Sequence, residues 1–168
     1  MMGTQPYGPP KGLSSVGGSF APMAATGVYS ENVEMYLKAI WLLAKDGGAK
    51  AKTGSISKEL DVSPSSVTEM LDKLQREGFV RHTKYQGANL TKKGDAYARR
   101  ILRKHCVIER FLVTTLKYPE GKFHDEACEM EHVLSDETER RLRKLVGQPE
   151  TCPDCYDVGK HYCSLLFA

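Results

Sequence analysis

The stretch SISKELDVSPSSVTEMLDKLQREGFVRHTKYQGANLT, residues 55–91, decides the fold. Its first six residues (55–60) read as a short helix, and Asp61-Val62-Ser63-Pro64 then forms a tight turn. Ser63 is a capping residue with proline at the first helical position, so a second helix starts at Pro64. Val67, Met70, Leu71 and Leu74 recur along one face until Glu77, and Gly78 closes the element. Phe79, Val80, His82, Lys84 and Tyr85, then Asn89-Leu90-Thr91, flank a Gln86-Gly87 turn and read as two short strands. Helix, turn, helix and hairpin in this order make a winged helix-turn-helix, whose second helix enters the major groove of duplex DNA. Ser63, Pro64, Ser65, Ser66, Thr68 and Glu69 lie at the exposed start of that helix, where hydroxyls and amides reach phosphates or bases. A plain helical hairpin is the competing reading.

Working outward, Ser30 followed by Glu31 and Glu34 marks a helix start, and Val33, Tyr36, Leu37, Ile40 and Leu43 follow at helical spacing to about Lys45, before Gly47-Gly48. On the other side a long helix begins near Lys93 and carries Tyr97, Ile101, His105, Ile108, Leu112 and Leu116 along one stripe until Pro119. Two further helices are expected over about 122–133 and, from a Ser135 cap, to Val146. The charge supports a nucleic-acid partner. From Arg81 to Lys104 eight basic residues face one acid, Asp95, whereas from Glu120 to Glu139 eight acids face Lys122 alone. The net charge of +3 is therefore a basic half joined to an acidic half, and a basic run beside a helix-turn-helix is the electrostatic footprint of duplex binding. Lys73, Lys84 and Lys92 are the candidate phosphate contacts.

The chain has 168 residues, room for one domain or two small ones. No run approaches the roughly 18 apolar residues of a membrane span, which excludes a membrane protein. Residues 1–29 are rich in glycine, proline, serine and alanine and are expected to form a disordered tail. Five cysteines is an odd number. With no basic segment leading into an apolar stretch at the start, they read as thiols or metal ligands in a reducing cytoplasm rather than a secreted disulfide framework.

Metal chemistry is suggested in the acidic half. At about 100° per residue, His124, Cys128, Glu131 and His132 share one arc of a helix. His105 and Glu109 are one turn apart on the long helix. Mixed sulfur, nitrogen and oxygen donors suit a transition metal rather than Ca²⁺ or Mg²⁺; a buried cysteine beside satisfied histidines is the alternative. In the C-terminal tail (148–168), Cys152, Cys155, His161 and Cys163 are spaced C-x₂-C-x₅-H-x-C, able to wrap Zn²⁺ or iron, or to remain thiols.

Together these motifs resemble one family. VEMYLKAIWLL (33–43), VSPSSVTEMLDKLQREGFV (62–80), LTKKG (90–94), RKHCVIERFL (103–112) and HDEACEMEHVLSDETERRL (124–142) are similar to the metal-dependent repressors of the diphtheria toxin repressor family. The similarity covers about residues 30–147. It implies a mainly α chain with a winged helix-turn-helix DNA-binding domain (30–93), followed by a helical dimerisation and metal-binding domain (94–147). It also implies that Met35, Cys128, Glu131 and His132 form a primary regulatory site, and His105, Glu109 and His124 an ancillary one. Met35 belongs to the first domain and its partners to the second, so a shared metal ties the two together.

Met35 and Cys128 are soft donors. The family's manganese-sensing branch resembles a site with carboxylates at both positions and an acid where Lys38 stands here. Fe²⁺ is thus the expected corepressor and Mn²⁺ the alternative, with Ni²⁺, Co²⁺ or Zn²⁺ as in vitro surrogates. Many iron-responsive members carry a third, β-barrel domain that completes the ancillary site, and the expectation here is a chain lacking it. The whole reads as a cytoplasmic homodimeric repressor binding palindromic operator DNA near metal-homeostasis genes, with no small organic substrate. The rivals are a metal phosphohydrolase using His124-Asp125, which lacks further ligand-bearing helices, and a winged-helix regulator with Cys128 or Cys106 as a thiol switch.

Overall fold

A computed structural model describes residues 29–44, 50–119 and 121–147. Six helices and one hairpin follow in the order α1 (Glu31–Ala44), α2 (Thr53–Leu60), α3 (Pro64–Arg76), β1 (Val80–Thr83), β2 (Gly87–Leu90), α4 (Lys92–Thr114), α5 (Phe123–Glu131) and α6 (Asp136–Val146). The expected end of the first helix at Gly47-Gly48, the tail 1–28 and the cysteine-rich 148–168 lie outside the described residues.

The punctuation seen in the sequence sets the boundaries of α3 and the wing. Ser63 is extended and its hydroxyl accepts from the Ser66 amide at 3.1 Å, while Asp61 takes the left-handed conformation that ends α2. Gly78, at φ +77°, closes α3 and sends Phe79 into the core. The strands pair antiparallel with Val80 opposite Leu90 and Thr83 opposite Gly87. Ala51 adds an isolated rung beside β2 by exchanging both backbone hydrogen bonds with Ala88, at 2.9 Å each. This rung anchors the loop before α2, and α2 accordingly starts at Thr53, two residues ahead of the expected position.

One core joins α1, α2, α3 and the wing through Val33, Leu37, Ile40, Ile56, Val67, Leu71, Leu74 and Phe79. Met70, expected inward with them, packs against this core only partly buried. Thr91 caps α4 by accepting from the Gly94 amide at 3.1 Å and donates to the Gly78 carbonyl at 2.8 Å, so the wing and the long helix share one joint. A Cβ at Gly94 would stand 2.1 Å from the Phe79 carbonyl oxygen, which is why glycine ends the LTKKG motif. Farther along α4, Leu102, Cys106 and Val107 pack on Trp41, Leu42 and Leu142, and Ile108 and Leu112 pack on Ala127 of α5.

Two expectations for the second half need correction. The long helix ends at Thr114, because Lys117 turns left-handed (φ +56°) and the Tyr118 amide reaches back to the Leu112 carbonyl. Leu116 therefore leaves the buried stripe and is 52% exposed. The next helix stops at Glu131, so His132 follows as its C-cap residue rather than as part of the helical face. The Ser135 cap of α6 is present, accepting from the Thr138 amide.

Candidate metal centre and nucleic-acid interface

The candidate ligands converge where α1, α4 and α5 meet. His105 and Glu109, one turn apart on α4, are both fully buried, and the His105 Nε2 to Glu109 Oε1 distance is 2.9 Å. His124 of α5 brings its Nδ1 to the same carboxylate oxygen, also at 2.9 Å. The three ancillary candidates are thus one hydrogen-bonded group centred on Glu109. The other carboxylate oxygen of Glu109 is buried with no hydrogen-bond partner, a costly state for an anion and an open donor for a cation.

The primary candidates lie against this group rather than apart from it. Cys128 Sγ is 3.9 Å from His105 Nδ1 and 3.7 Å from His124 Nε2. Glu131 is fully buried, with its Oε2 2.6 Å from His105 Nδ1 and its Oε1 3.4 Å from His132 Nε2. His105 therefore faces Glu109 with one nitrogen and the primary set with the other. Met35 is partly buried on α1, one helical turn before Lys38.

Two residues outside the expected ligand sets complete the centre. The Lys38 ammonium is buried and donates to both oxygens of Glu131, at 2.9 and 3.0 Å, and lies 3.8 Å from Cys128 Sγ. Glu34, read in the sequence as a helix-start acid, is buried instead. Its Oε2 is 2.7 Å from His132 Nδ1, and its Oε1 accepts from the Tyr97 hydroxyl at 2.9 Å. Lys38–Glu131 and Glu34–His132 clasp α1 to the end of α5. The sequence signal was the i, i+4 placement of Glu34 and Lys38 on a helix face that also carries apolar core residues.

The electrostatics match a cation-binding cluster. Burial alone disfavours a charged His105, but hydrogen bonds with Cys128, Glu109 and Glu131 outweigh it and push its pKa up to about 10. Burial likewise opposes ionisation of Glu131, yet the His105 hydrogen bond and the Lys38 charge hold its carboxyl below the usual range. Burial, followed by the Glu34 hydrogen bond, raises the Tyr97 phenol to about 12. Three imidazoles, a thiol and two carboxylates (His105, His124, His132, Cys128, Glu109 and Glu131) fit a divalent transition metal in donor type, and the Lys38 ammonium lies against two of these donors, Glu131 and Cys128. The candidate tail ligands Cys152, Cys155, His161 and Cys163 lie outside the described residues. Cys106, the other thiol considered for a redox switch, is fully buried against Trp41 and Leu142, unlike an accessible reactive cysteine.

At the opposite end, Ser63, Pro64, Ser65, Ser66, Thr68, Glu69 and Lys73 are all exposed on α3 and its cap. The Ser63 hydroxyl lies 2.8 Å from those of both Ser65 and Ser66, and the Thr68 hydroxyl donates to the Pro64 carbonyl. Thr68 also lines a cleft with Lys52, His82, Lys84 and Tyr85 of the α2 start and the wing. Tyr85, which the sequence reading gave no site role, stands at the wing tip 92% exposed at φ +65°.

The basic run divides in two. Arg81, Lys84 and Lys92 are exposed around the wing. Arg100 instead grips Asp136 at 2.7 and 2.8 Å, Arg103 approaches Glu139 at 3.6 Å, and Lys104 is buried and donates to the Leu134 carbonyl. These three fasten α4 to α6, so part of the opposed charge is internal pairing rather than DNA footprint. Among the described residues, no helix is long and apolar enough to cross a membrane.

Comparison with known proteins agrees with both ends of the molecule. Residues 29–88 match the iron dependent repressor N-terminal DNA binding domain, and residues 91–157 match the iron dependent repressor metal binding and dimerisation domain. An HTH-type transcriptional regulator of Methanocaldococcus jannaschii is 43% identical over 114 residues, 68% of this chain and 91% of that protein. The iron-dependent repressor IdeR of Mycobacterium tuberculosis is 37% identical over 123 residues, 73% of this chain and 53% of that protein. The manganese regulator SloR superposes with a TM-score of 0.64 at 38% identity, covering 74% of this chain and 58% of that one. The chain thus spans about half the length of the iron and manganese regulators it matches. With a DNA-binding end, a metal-binding and dimerisation end, and a buried donor cluster joining them, the chain belongs to the iron-dependent repressor family of metal-dependent transcriptional repressors, which are not enzymes.

Proposed function

We propose that this chain is a cytoplasmic, homodimeric repressor that binds palindromic operator DNA when loaded with a divalent metal, and that it controls metal-ion homeostasis genes. The observation that carries this reading is the clasp between α1, a core helix of the winged helix-turn-helix, and the ligand-bearing α5: Lys38 to Glu131 and Glu34 to His132. Met35, Cys128, Glu131 and His132 are the primary ligands, and His105, Glu109 and His124 the ancillary ones. Metal at that junction couples ligand binding to the placement of α3, because only a difference in affinity between two arrangements shifts their populations. Moving from 1:99 to 99:1 needs about 5.5 kcal/mol of such difference, within reach of a site with four protein donors. α3 reads bases through Ser65, Ser66, Thr68 and Glu69, while Lys73, Lys84 and Lys92 hold phosphates; Glu69 can accept from cytosine N4.

Fe²⁺ is the proposed corepressor, supported by the soft Met35 and Cys128 donors and by Lys38 standing where the manganese branch resembles a carboxylate site. Mn²⁺ is the second reading, favoured by the equal likeness to a manganese regulator. Cys128→Ala and His132→Ala are expected to abolish metal-stimulated binding to an operator duplex selected from a random pool, with the folded signal in far-UV circular dichroism retained. Wild-type metal response in both variants overturns the ligand assignment.

A further inference from the structure

We propose that Tyr85, at the tip of the wing, reads the minor groove of the operator beside the major groove entered by α3, and that it selects A·T pairs there. This inference rests on the DNA-binding reading above and deepens it, since the base and phosphate contacts assigned there leave Tyr85 out. Tyr85 is a poor choice for the fold itself. The Gln86 amide donates to the Thr83 carbonyl at 2.9 Å, closing a turn in which Tyr85 stands third, at φ +65°. Glycine or asparagine suits that position, and a bulky residue is disfavoured there. Burial does not compensate, because Tyr85 is 92% exposed, its ring met by the Lys84 ammonium at 5.4 Å.

The wing is fixed on both sides. On one, Gln75 of α3 accepts from the His82 amide at 2.7 Å. On the other, Lys50 donates to the Gln86 side chain at 2.8 Å, and Gly87 lies so close to Ala51 that a Cβ would stand 2.6 Å from its carbonyl oxygen. Between α3 and the wing runs a cleft of about 360 Å³, lined by Thr68 on α3, Lys52 and Thr53 at the start of α2, and His82, Lys84 and Tyr85 on the wing. One sugar–phosphate strand separates the two grooves of B-DNA. With α3 in the major groove, the hydroxyls and ammonium groups of the cleft suit that strand, and the wing wall beyond it falls in the adjacent minor groove. There A·T pairs present only acceptors, adenine N3 and thymine O2, to which the Tyr85 hydroxyl can donate. The guanine N2 amino group of a G·C pair obstructs the ring.

The experiment selects duplexes from a random pool with the full chain loaded with Co²⁺, and in parallel with Tyr85→Gly, whose glycine suits the turn. The expected result is a common core read by α3, with A·T enrichment about five base pairs away in the wild-type pool alone. Fluorescence anisotropy on the wild-type operator then separates the grooves. Exchanging those A·T pairs for G·C is expected to weaken wild-type binding at least about 5-fold, the low end of the cost of one unsuited pair. Inosine·cytosine pairs, which lack the N2 amino group, are expected to restore it, and Tyr85→Gly to bind all three duplexes alike. Identical base preferences in the two pools, or inosine duplexes bound as weakly as G·C ones, overturn this inference and leave the metal-dependent reading intact. A loaded wild-type chain that enriches no sequence overturns both.

Discussion

Replacing Lys38 with leucine tests whether the clasp and the metal compete for the same donors. The Lys38 ammonium is buried and bidentate on Glu131. Deleting one partner of a buried ion pair costs about 3–5 kcal/mol. Glu131 keeps His105 at 2.6 Å and His132 at 3.4 Å, so the low end, about 3 kcal/mol, applies. For a chain of this size the metal-free protein should then melt about 6–12 °C lower. If metal takes Glu131 and Cys128 as proposed, it displaces the ammonium, and the loaded protein has no such interaction to lose. By the closed cycle the missing 3 kcal/mol reappears as roughly 100-fold tighter metal binding. Thermal melts in chelator and a Co²⁺ titration of both proteins measure the two sides independently. A variant that melts lower yet binds metal no more tightly refutes the competition, because Lys38 would then stabilise both states equally.

Other consequences follow from single contacts. Gly94→Ala places a methyl 2.1 Å from the Phe79 carbonyl oxygen and is expected to cost about 1–3 kcal/mol in urea unfolding; wild-type stability would mean that α4 and the wing are not joined so closely. DNA affinity should fall with salt at a log–log slope near −0.9 per phosphate contact. Lys84→Ala and Lys92→Ala should each flatten that slope by about one contact, and Arg103→Ala should leave it unchanged. An equal effect from Arg103 would restore α4 to the DNA footprint.

How much was legible in the sequence varied with the physics involved. The helix-turn-helix and wing could be read because local chemistry fixes them: the Ser63-Pro64 start, the Gly78 stop and the Gln86-Gly87 turn each admit few backbone conformations. The start of α2 could not, since Lys52 provides no side-chain cap and the element is anchored by the Ala51–Ala88 rung from a distant part of the chain. Spacing placed the candidate donors of α4 and α5, His132 excepted, on their respective helix faces, but it cannot say which nitrogen of His105 meets which carboxylate. Glu34 and Lys38 resemble any solvated acid and base until Glu131, His132 and the Tyr97 hydroxyl close over them. For the same reason Arg100, Arg103 and Lys104 looked like part of a DNA footprint, although their partners are the acids and carbonyls of the α5–α6 region.

The central claim is that metal governs DNA binding. Its most direct test is the affinity for a selected operator duplex, measured by fluorescence anisotropy at fixed salt, in chelator and across an anaerobic Fe²⁺ titration with Mn²⁺ and Co²⁺ in parallel. If about 1% of the metal-free chain is DNA-competent, metal should tighten binding by up to about 100-fold, with Fe²⁺ effective. Equal affinity in chelator and in saturating metal would contradict the account.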